Sequence, residues 1–330
     1  MKALLCTRFG PIDALALRDA PDPAPAPGEV VIAVQACALN FPDALIVQGL
    51  YQAKPALPFA PGAEFSGVVQ QVGAGVTGYR PGDAVIAFAG HGGLAERCAV
   101  DARRVMPLPE GMTFEQGAAF LLTYGTCMHA LHDVARLQPG ETVAVLGAGG
   151  GVGLAAVDIA KAMGARVIAA ASSPAKLRLA QQHGADALLD YCRDDLRQGL
   201  LALTDGHGVH VVLDPVGGTH AEAALRATAW RGRHLVVGFA AGDIPRIPLN
   251  LALLKERQIL GVYWGEAVQR DPKQHAANVQ QLLKWFAFGQ IRPEITEQIG
   301  LEQAADALRR LSQREAMGKI VVRIAALNFG

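Results

Sequence analysis

The sequence predicts an α/β protein in which a doubly wound, six-stranded parallel sheet is joined to a β-rich, barrel-like domain. Its 330 residues exceed the roughly 250–300 at which single cores stop growing, so two domains are expected. From about residue 124, apolar strands alternate with helical patterns, which is typical of a parallel sheet covered on both faces. Residues 1–123 hold short apolar runs separated by turns, which favours β structure with few helices.

The first domain is predicted from its short runs and turn residues. Runs of strand length include KALLC, LALRDA and EVVIAVQACAL. One helix is expected after Asn40-Phe41-Pro42-Asp43, because proline suits the first helical position and an acid suits the first turn. Asn40 and Asp43 either cap this helix or belong to a functional site, and the sequence leaves both roles open.

Six strand segments order the second domain: TVAVLG, RVIAAA, ALLDY, VHVVLD, RHLVVGF and QILGVYW. Helices are expected between them, including one over AEAALRATAW, and this alternation is that of two βαβαβ halves of a Rossmann sheet. The tail holds two helical patterns, Lys273–Gly289 and Leu301–Leu311, and a final strand, GKIVVRI. We expect the first domain to span 1–123, the second to span 124–265, and the tail, 266–330, to return to the first domain.

The first turn of the predicted sheet is rich in glycine. Thr142–Gly153 reads TVAVLGAGGGVG, an apolar strand that runs into a glycine turn and opens a helix. Such a turn lets backbone N–H groups and the positive end of the helix meet a pyrophosphate. Ala148 stands where the first glycine is usual, and any tight strand-to-helix connection also uses glycine. The turn therefore indicates a dinucleotide site.

The end of the second strand predicts which dinucleotide is bound. NAD-specific sheets carry a carboxylate there for the ribose 2′-hydroxyl, whereas this chain has Ser172 and Ser173. Lys176 follows within one helical turn, and Tyr191 ends the neighbouring strand. Hydroxyls and a lysine suit a 2′-phosphate, so NADPH is the expected cofactor. The alternative is that Ser173 only caps a helix and that Lys176 is only a solvated helix residue.

Composition excludes several classes of function. The formal net charge is +0 and the pI is about 7.1, which argues against nucleic-acid binding. No apolar run reaches the roughly 18 residues that span a membrane, and no signal peptide is expected from MKALLCTRFG. The five cysteines are scattered and odd in number, which indicates free thiols in a reducing compartment, the cytoplasm. The close histidine pairs, His129/His132 and His207/His210, lack the spacing and partners of a zinc site.

A set of short motifs is spread along the chain. The motifs are Cys37-Ala-Leu-Asn-Phe-Pro-Asp43, Gly49-Leu-Tyr-Gln52, Pro61-Gly-Ala-Glu-Phe-Ser-Gly67, Gly78-Tyr-Arg-Pro-Gly-Asp83, Tyr124-Gly-Thr126, Pro139-Gly-Glu-Thr142, AGGGVG, Ala171-Ser-Ser-Pro-Ala-Lys176, Val216-Gly-Gly218, Leu253-Leu-Lys255, Tyr263-Trp-Gly265 and Gly318-Lys319. In their order and spacing they resemble the medium-chain dehydrogenase/reductase superfamily over nearly the full length. Within it, the chain is similar to the zinc-independent NADPH:quinone oxidoreductases, most of all to the quinone oxidoreductase-like protein 2 subgroup.

This resemblance implies a GroES-like barrel for the first domain and a reaction without zinc. Zinc-dependent relatives have a cysteine at Asn40, a histidine at Ala63 and a further cysteine near Leu121. Glu64 remains without those partners, and only Cys98 stands where relatives insert a four-cysteine lobe. A carboxylate alone does not make a Lewis-acid zinc site.

The resemblance also implies the site residues. Counterparts of Asn40, Tyr51 and Thr126 face the nicotinamide and the substrate. Further counterparts contact the cofactor and correspond to Gly149, Gly150, Gly151, Val152, Ser172, Lys176, Tyr191, Phe239, Ala240, Ala241, Tyr263 and Trp264. Tyr124 beside Gly125 departs from the usual pattern, and we expect it to narrow the pocket.

The expected reaction is hydride transfer from NADPH to a quinone or an activated enone, in a cleft between the domains. Either Tyr51 or a water held by Asn40 would supply the proton. Two other readings stay open: an enoyl- or acyl-CoA-type reductase, and a non-catalytic NADPH-binding sensor. QILGVYW is expected to be an edge strand that pairs with its twofold mate in a homodimer.

Overall fold

The computed structural model describes residues 1–324, and the chain divides into two compact units. Within the described residues, one unit contains Met1–Leu122 and 295–324, and the other contains Thr123–Glu294. The second unit thus extends beyond residue 265, and the return to the first unit begins at Ile295 and not at position 266.

The described residues form strands and helices in the following order. The strands are β1 Lys2–Leu5, β2 Ala16–Asp19, β3 Glu29–Ala38, β4 Glu64–Val72, β5 Ala84–Phe88, β6 Arg97–Asp101, β7 Val105–Pro107, β8 Thr142–Leu146, β9 Arg166–Ala171, β10 Ala187–Asp190, β11 Val209–Asp214, β12 Thr228–Val236, β13 Gln258–Gly261, β14 Ile295–Gly300 and β15 Lys319–Arg323. The helices are α1 Phe41–Val47, α2 Phe114–Ala118, α3 Leu121–Met128, α4 Gly151–Ala162, α5 Pro174–Gln182, α6 Leu196–Ala202, α7 Gly218–Arg226, α8 Asn250–Leu253, α9 Trp264–Arg270, α10 Pro272–Ala287 and α11 Ala304–Ser312, and α3 continues as a π-helix over His129–Val134.

The first unit is built on a seven-stranded sheet of order β14-β15-β3-β4-β5-β7, with β6 paired to β3. Its core is continuous because the long strands β3 and β4 bury their apolar side chains, among them Val30, Ile32 and Phe65. The sequence did not predict β14. Its residues, ITEQIG, carry polar side chains at three of six positions, as an edge strand does, and give no apolar run to detect.

The second unit contains a six-stranded parallel sheet of order β10-β9-β8-β11-β12-β13. In chain order this is 3-2-1-4-5-6, which confirms the doubly wound sheet. Two boundaries were wrong. The helix predicted over AEAALRATAW ends at Arg226, because Thr228 already pairs with Val209 in the sheet. The sixth strand stops at Gly261, and Trp264 begins a helix instead.

Helix α10 explains why residues 266–294 stay with the second unit. Asn278 Nδ2 donates to Asp133 Oδ2 (2.8 Å), and Gln274 Nε2 donates to Asp133 Oδ1 (3.1 Å). Leu282 on the same helix is fully buried. These contacts join residues about 140 positions apart in the chain, so a pattern of helical periodicity shows the helix but not the unit to which it belongs.

Two further observations bear on the sequence predictions. All five cysteines are free thiols, and four of them are buried. Within residues 1–324, no helix combines the length and the apolar character that a membrane crossing requires.

Candidate active site

The glycine turn after β8 packs closely on one side and is open on the other. Gly147 has φ +62°, which favours glycine. A Cβ on Gly153 would lie 2.3 Å from the Gly147 carbonyl oxygen, so α4 approaches the turn only because this position is glycine. A Cβ on Gly150 would meet nothing nearer than that same oxygen at 3.6 Å. Space is thus left in front of the helix.

The open space lies where α4 begins. Gly150 is the N-cap of α4, so the N–H groups of Gly151 and Val152 point out of the helix without an intrahelical acceptor. The first turn of a twelve-residue helix also carries partial positive charge. An anionic group is therefore favoured at this turn, and a side chain at Gly150 would project into the open space.

The residues predicted to choose the cofactor meet beside this turn. A Cβ on Gly149 would lie 2.4 Å from Lys176 Cβ, so Lys176 stands against the glycine turn. Ser172 is exposed directly after β9, and the Tyr191 N–H donates to the Ala171 carbonyl (3.2 Å). The Tyr191 ring packs on that of His220, with centroids 4.4 Å apart. A glycine turn, an exposed hydroxyl, a lysine and a tyrosine thus share the carboxyl edge of the sheet.

Ser173 has the capping role that the alternative reading gave it. It is the N-cap of α5, and its Oγ accepts the Lys176 N–H at 3.4 Å. This bond uses only the backbone of Lys176. The capping role of Ser173 therefore does not occupy the Lys176 ammonium group.

The loop after β12 is joined to the loop after β11. The Ala240 and Ala241 N–H groups donate to the carbonyls of Pro215 (3.1 Å) and Val216 (2.8 Å). Phe239 lies against Gly217. The predicted stretch 239–241 thus lies at the same carboxyl edge as the glycine turn.

Asp214 holds this edge in place and was missed by the sequence reasoning. Its Oδ1 accepts the N–H groups of Val216 and Gly217, both at 2.8 Å. Its Oδ2 lies 3.1 Å from His234 Nε2, and both side chains are buried. An aspartate at the end of an apolar strand and two residues before a Val-Gly-Gly turn is the signal that would have revealed it.

Helix α3 carries Thr126 and also Tyr124, which was expected to narrow the pocket. Tyr124 is only 2% exposed, and its hydroxyl donates to Asp158 Oδ2 (2.7 Å) inside the second unit, so it does not narrow a pocket. A Cβ on Gly125 would lie 2.6 Å from the Trp264 indole. Glycine at this position therefore makes room for Trp264. Thr126 itself is half-buried.

The side chains of Tyr263 and Trp264 differ in exposure. Trp264 is 7% exposed and packs edge-on against His275, with ring centroids 5.7 Å apart. Tyr263 is 52% exposed. Of the two, only Tyr263 presents much of its ring to a ligand, and Trp264 acts as packing beneath α3.

In the first unit, Asn40 belongs to a buried polar network with Glu64 and Lys319. Asn40 Nδ2 donates to Glu64 Oε1 (3.0 Å) and to the Ala38 carbonyl (3.2 Å). Lys319 Nζ donates to Asn40 Oδ1 (2.6 Å) and to Glu64 Oε1 (2.9 Å). The three side chains are 5%, 0% and 4% exposed, respectively for Asn40, Glu64 and Lys319.

This network fixes the orientation of the Asn40 carboxamide. An ammonium only donates and an ionised carboxylate only accepts, so Oδ1 must face Lys319 and Nδ2 must face Glu64. Both amide hydrogens are used, while Oδ1 keeps one lone pair. Asn40 is therefore an acceptor toward any further partner. Lys319 was quoted in a sequence motif but was not predicted to touch Asn40.

Asp43 has the structural role that was left open. Its Oδ2 accepts the Asn40 N–H (2.8 Å), and its Oδ1 accepts the N–H groups of Gly62 (3.2 Å) and Ala63 (2.9 Å). Burial raises the pKa of this carboxyl to about 7, because the N–H bonds offset only part of the desolvation. The Asn40 side chain, in contrast, is not the cap of α1.

Tyr51 follows α1 and is half-buried against the core of the first unit. Thr126 and the nucleotide-side residues belong to the second unit, whereas Asn40 and Tyr51 belong to the first. Over residues 1–324, His, Cys, Asp and Glu side chains are nowhere grouped in threes that would hold a metal ion.

Residues 26–110 match the Alcohol dehydrogenase GroES-like domain family, and residues 151–286 match the Zinc-binding dehydrogenase family. A GroES-like domain followed by a doubly wound nucleotide-binding sheet defines an oxidoreductase of the medium-chain dehydrogenase/reductase superfamily. The quinone oxidoreductase-like protein 2 homolog of Nematostella vectensis is 41% identical over 297 residues, which are 89% of this chain and 81% of the relative. This chain belongs to the quinone oxidoreductase family of that superfamily.

Two further comparisons agree with this family membership. The quinone oxidoreductase of Pseudomonas aeruginosa is 36% identical over 329 residues, covering 97% of this chain and 99% of the relative. A mycobacterial protein solved in complex with NADPH superimposes with a TM-score of 0.91 at 30% identity and covers 98% of this chain and 99% of its own. Binding of a nicotinamide cofactor is thus a property of this family.

Proposed function

We propose that this protein reduces a quinone or an activated enone with NADPH, and that it does so without zinc. The observation that carries the proposal is the meeting of Gly150, Lys176, Ser172 and Tyr191 at one edge of the sheet. NADPH, when bound, supplies the hydride. The protein contributes binding, orientation and electrostatics.

The nucleotide end would be held by backbone and by one cation. The N–H groups of Gly151 and Val152 would bind the pyrophosphate, as the open space at Gly150 allows. Lys176, with Ser172 and Tyr191, would bind the 2′-phosphate. One charge-assisted hydrogen bond contributes roughly 1.5–3 kcal/mol. At 1.4 kcal/mol per decade, Lys176 alone would favour NADPH over NADH by about ten- to a hundredfold.

Asn40 and Tyr51 would have different roles at the nicotinamide end of the cofactor. Because Asn40 has both amide hydrogens engaged, it would accept a hydrogen bond through Oδ1 and orient a donor such as an amide or a hydroxyl. It would not donate to a developing oxyanion. Tyr51 carries a hydroxyl, so Tyr51 is the proposed proton donor. Positioning of this kind supplies much of the rate when no metal does.

The proposal is tested by NADPH oxidation at 340 nm. The acceptors are 1,4-benzoquinone, 9,10-phenanthrenequinone, simple enals and crotonyl-CoA. Turnover with quinones or enals is expected, and turnover with crotonyl-CoA alone would favour the acyl-CoA-type reductase. Tight NADPH binding in a calorimeter without any turnover would instead favour a non-catalytic NADPH-binding sensor. Unchanged turnover after dialysis against a zinc chelator is expected.

Two matched variants test the residue roles. Lys176→Ala should raise the Kd for NADPH about ten- to a hundredfold and leave NADH binding unchanged. Lys161→Ala, a lysine of α4 that pairs with Asp186 at 2.8 Å, is the control and should change neither. Tyr51→Phe should lower kcat, and an unchanged kcat would remove the acid role of Tyr51.

We further propose a homodimer formed through β13. This strand is the last of the six-stranded sheet. Large apolar side chains around it are exposed, including Trp230 (60%), Leu253 (78%) and Ile259 (40%). Exposed edges and apolar patches favour pairing. Sedimentation at micromolar concentration should give a dimer, and a monomer would contradict the proposal.

A further inference from the structure

A buried cluster in the second unit has no part in the proposed function so far. It consists of Tyr124 from α3, Asp158 from α4, His183 at the end of α5, and Glu294, and we call it the His183 cluster. The Tyr124 hydroxyl donates to Asp158 Oδ2 (2.7 Å), and His183 Nδ1 lies 2.7 Å from Asp158 Oδ1. The side chains of His183 and Asp158 are 1% and 5% exposed.

The two nitrogens of His183 face two different carboxylates. Nδ1–H donates to Asp158 whether or not the ring is charged. Nε2 lies 3.4 Å from Glu294 Oε2, which is ion-pair distance and longer than a normal charge-assisted hydrogen bond. Only the protonated ring attracts Glu294, since a neutral ring with its hydrogen on Nδ1 turns a lone pair toward that carboxylate. Protonation of His183 therefore decides whether the contact between Nε2 and Glu294 is attractive.

Other titratable groups border the cluster. Cys127 lies near Asp158, and burial raises the pKa values of both the Cys127 thiol and the Tyr124 hydroxyl. Lys161 passes beside Gly184 and is paired with Asp186. Burial by itself would lower the pKa of His183, but hydrogen bonds and charges from Asp158 and Glu294 outweigh burial and raise it.

The cluster connects the two helices whose N-termini form the nucleotide site. Asp158 lies about two turns after the start of α4 at Gly151. His183 is the C-cap of α5, which begins at Pro174. At the other end of this helix pair, Lys176 of α5 packs against Gly149. The two helices are therefore held at both ends, by close backbone packing at one and by the Asp158–His183 bond at the other.

We propose that His183 is a positioning residue for cofactor selection. By bonding Asp158, it holds α5 against α4 so that Ser172 and Lys176 reach the 2′-phosphate while Gly150 and Val152 hold the pyrophosphate. This inference rests on the proposed use of NADPH. It predicts that loss of the bond lowers the preference for NADPH over NADH and leaves binding of the part that both cofactors share.

Three variants, one of them a control, separate the contact of His183 with Asp158 from its contact with Glu294. His183→Leu removes both contacts. His183→Asn keeps an N–H close to the position of Nδ1, toward Asp158, and loses the reach to Glu294. His207→Asn, an exposed histidine in a turn, is the matched control.

The measurement is the ratio of the Kd values for NADH and NADPH by calorimetry at pH 7. In His183→Leu this ratio should be lower than in the wild type by up to about ten- to a hundredfold, the limit set by loss of the Lys176 contact, with the Kd for NADH changed less than about threefold.

His183→Asn should keep the wild-type ratio, and His207→Asn should behave as the wild type. A folded His183→Leu variant, checked by far-UV circular dichroism, with an unchanged ratio would overturn the proposal. So would a His183→Asn variant whose ratio falls as far as that of His183→Leu. If His183→Leu does not fold, His183→Gln, whose amide stands near the position of Nε2 and so loses the bond to Asp158, should lower the ratio in the same way. A wild type that binds neither cofactor would instead remove the proposed function.

Discussion

The pair formed by Glu64 and Lys319 permits a quantitative test of the first unit. Lys319→Met would leave the Glu64 carboxylate buried, with N–H donors from Asn40 and Leu122 but no counter-charge. Glu64→Gln would leave the Lys319 ammonium buried among neutral oxygens. Removing one partner of a buried ion pair costs about 3–5 kcal/mol, so each single change should lower the free energy of unfolding by that amount.

The double variant Glu64→Gln/Lys319→Met should be less destabilised than either single variant. It buries no unpaired charge, so it loses only hydrogen bonds: those from Lys319 Nζ to Leu39 O and Asn40 Oδ1, and one of the two that Glu64 accepts from Asn40 and Leu122, at about 0.5–1.5 kcal/mol each.

Urea unfolding followed by far-UV circular dichroism is the appropriate assay. The three tryptophans, Trp230, Trp264 and Trp285, all belong to the second unit, so tryptophan fluorescence would report on that unit instead. The reasoning would be refuted if each single variant lowered the free energy of unfolding by less than about 1 kcal/mol, because removing one partner of a buried ion pair costs more than that. Additive losses in the double variant would refute it as well, because they would show that the two side chains are not coupled.

Three further predictions concern stability and backbone packing. Asp43→Asn should remove a pH dependence: the folded carboxyl has a pKa of about 7 against about 3.9 when unfolded, so the wild-type free energy of unfolding, relative to the variant, should fall from pH 4 to pH 7 and stay level above. Gly125→Ala should cost about 1–3 kcal/mol by overpacking against Trp264 and shift the tryptophan emission. Gly153→Ala should lower the Tm, since its Cβ meets backbone, whereas Gly150→Ala should keep the Tm and weaken NADPH binding, as thermal melts and calorimetry would show.

Local pattern was sufficient for most of the second unit. The six strand segments are apolar on both faces, and capping residues such as Ser173 mark the helix starts, so the alternation was readable. The glycine turn and the predicted selectivity residues were likewise found at one edge, because parallel strands bring their carboxyl ends together. Local pattern did not predict the polar strand β14. It also extended a predicted helix too far where strand β12 begins directly after α7, at Thr228.

The sequence alone determined the kinds of elements, their order, the glycine turn and the residue types that suit a 2′-phosphate. These depend on neighbours within a few positions, where periodicity and turn chemistry act. Only the tertiary structure decided which distant side chains share a buried site. Lys319 bonds Asn40 across 279 positions and so leaves that amide only an acceptor. Tyr124 turns into the second unit toward Asp158, away from any pocket. Such pairings follow from sheet order and packing, which no local pattern in one sequence encodes.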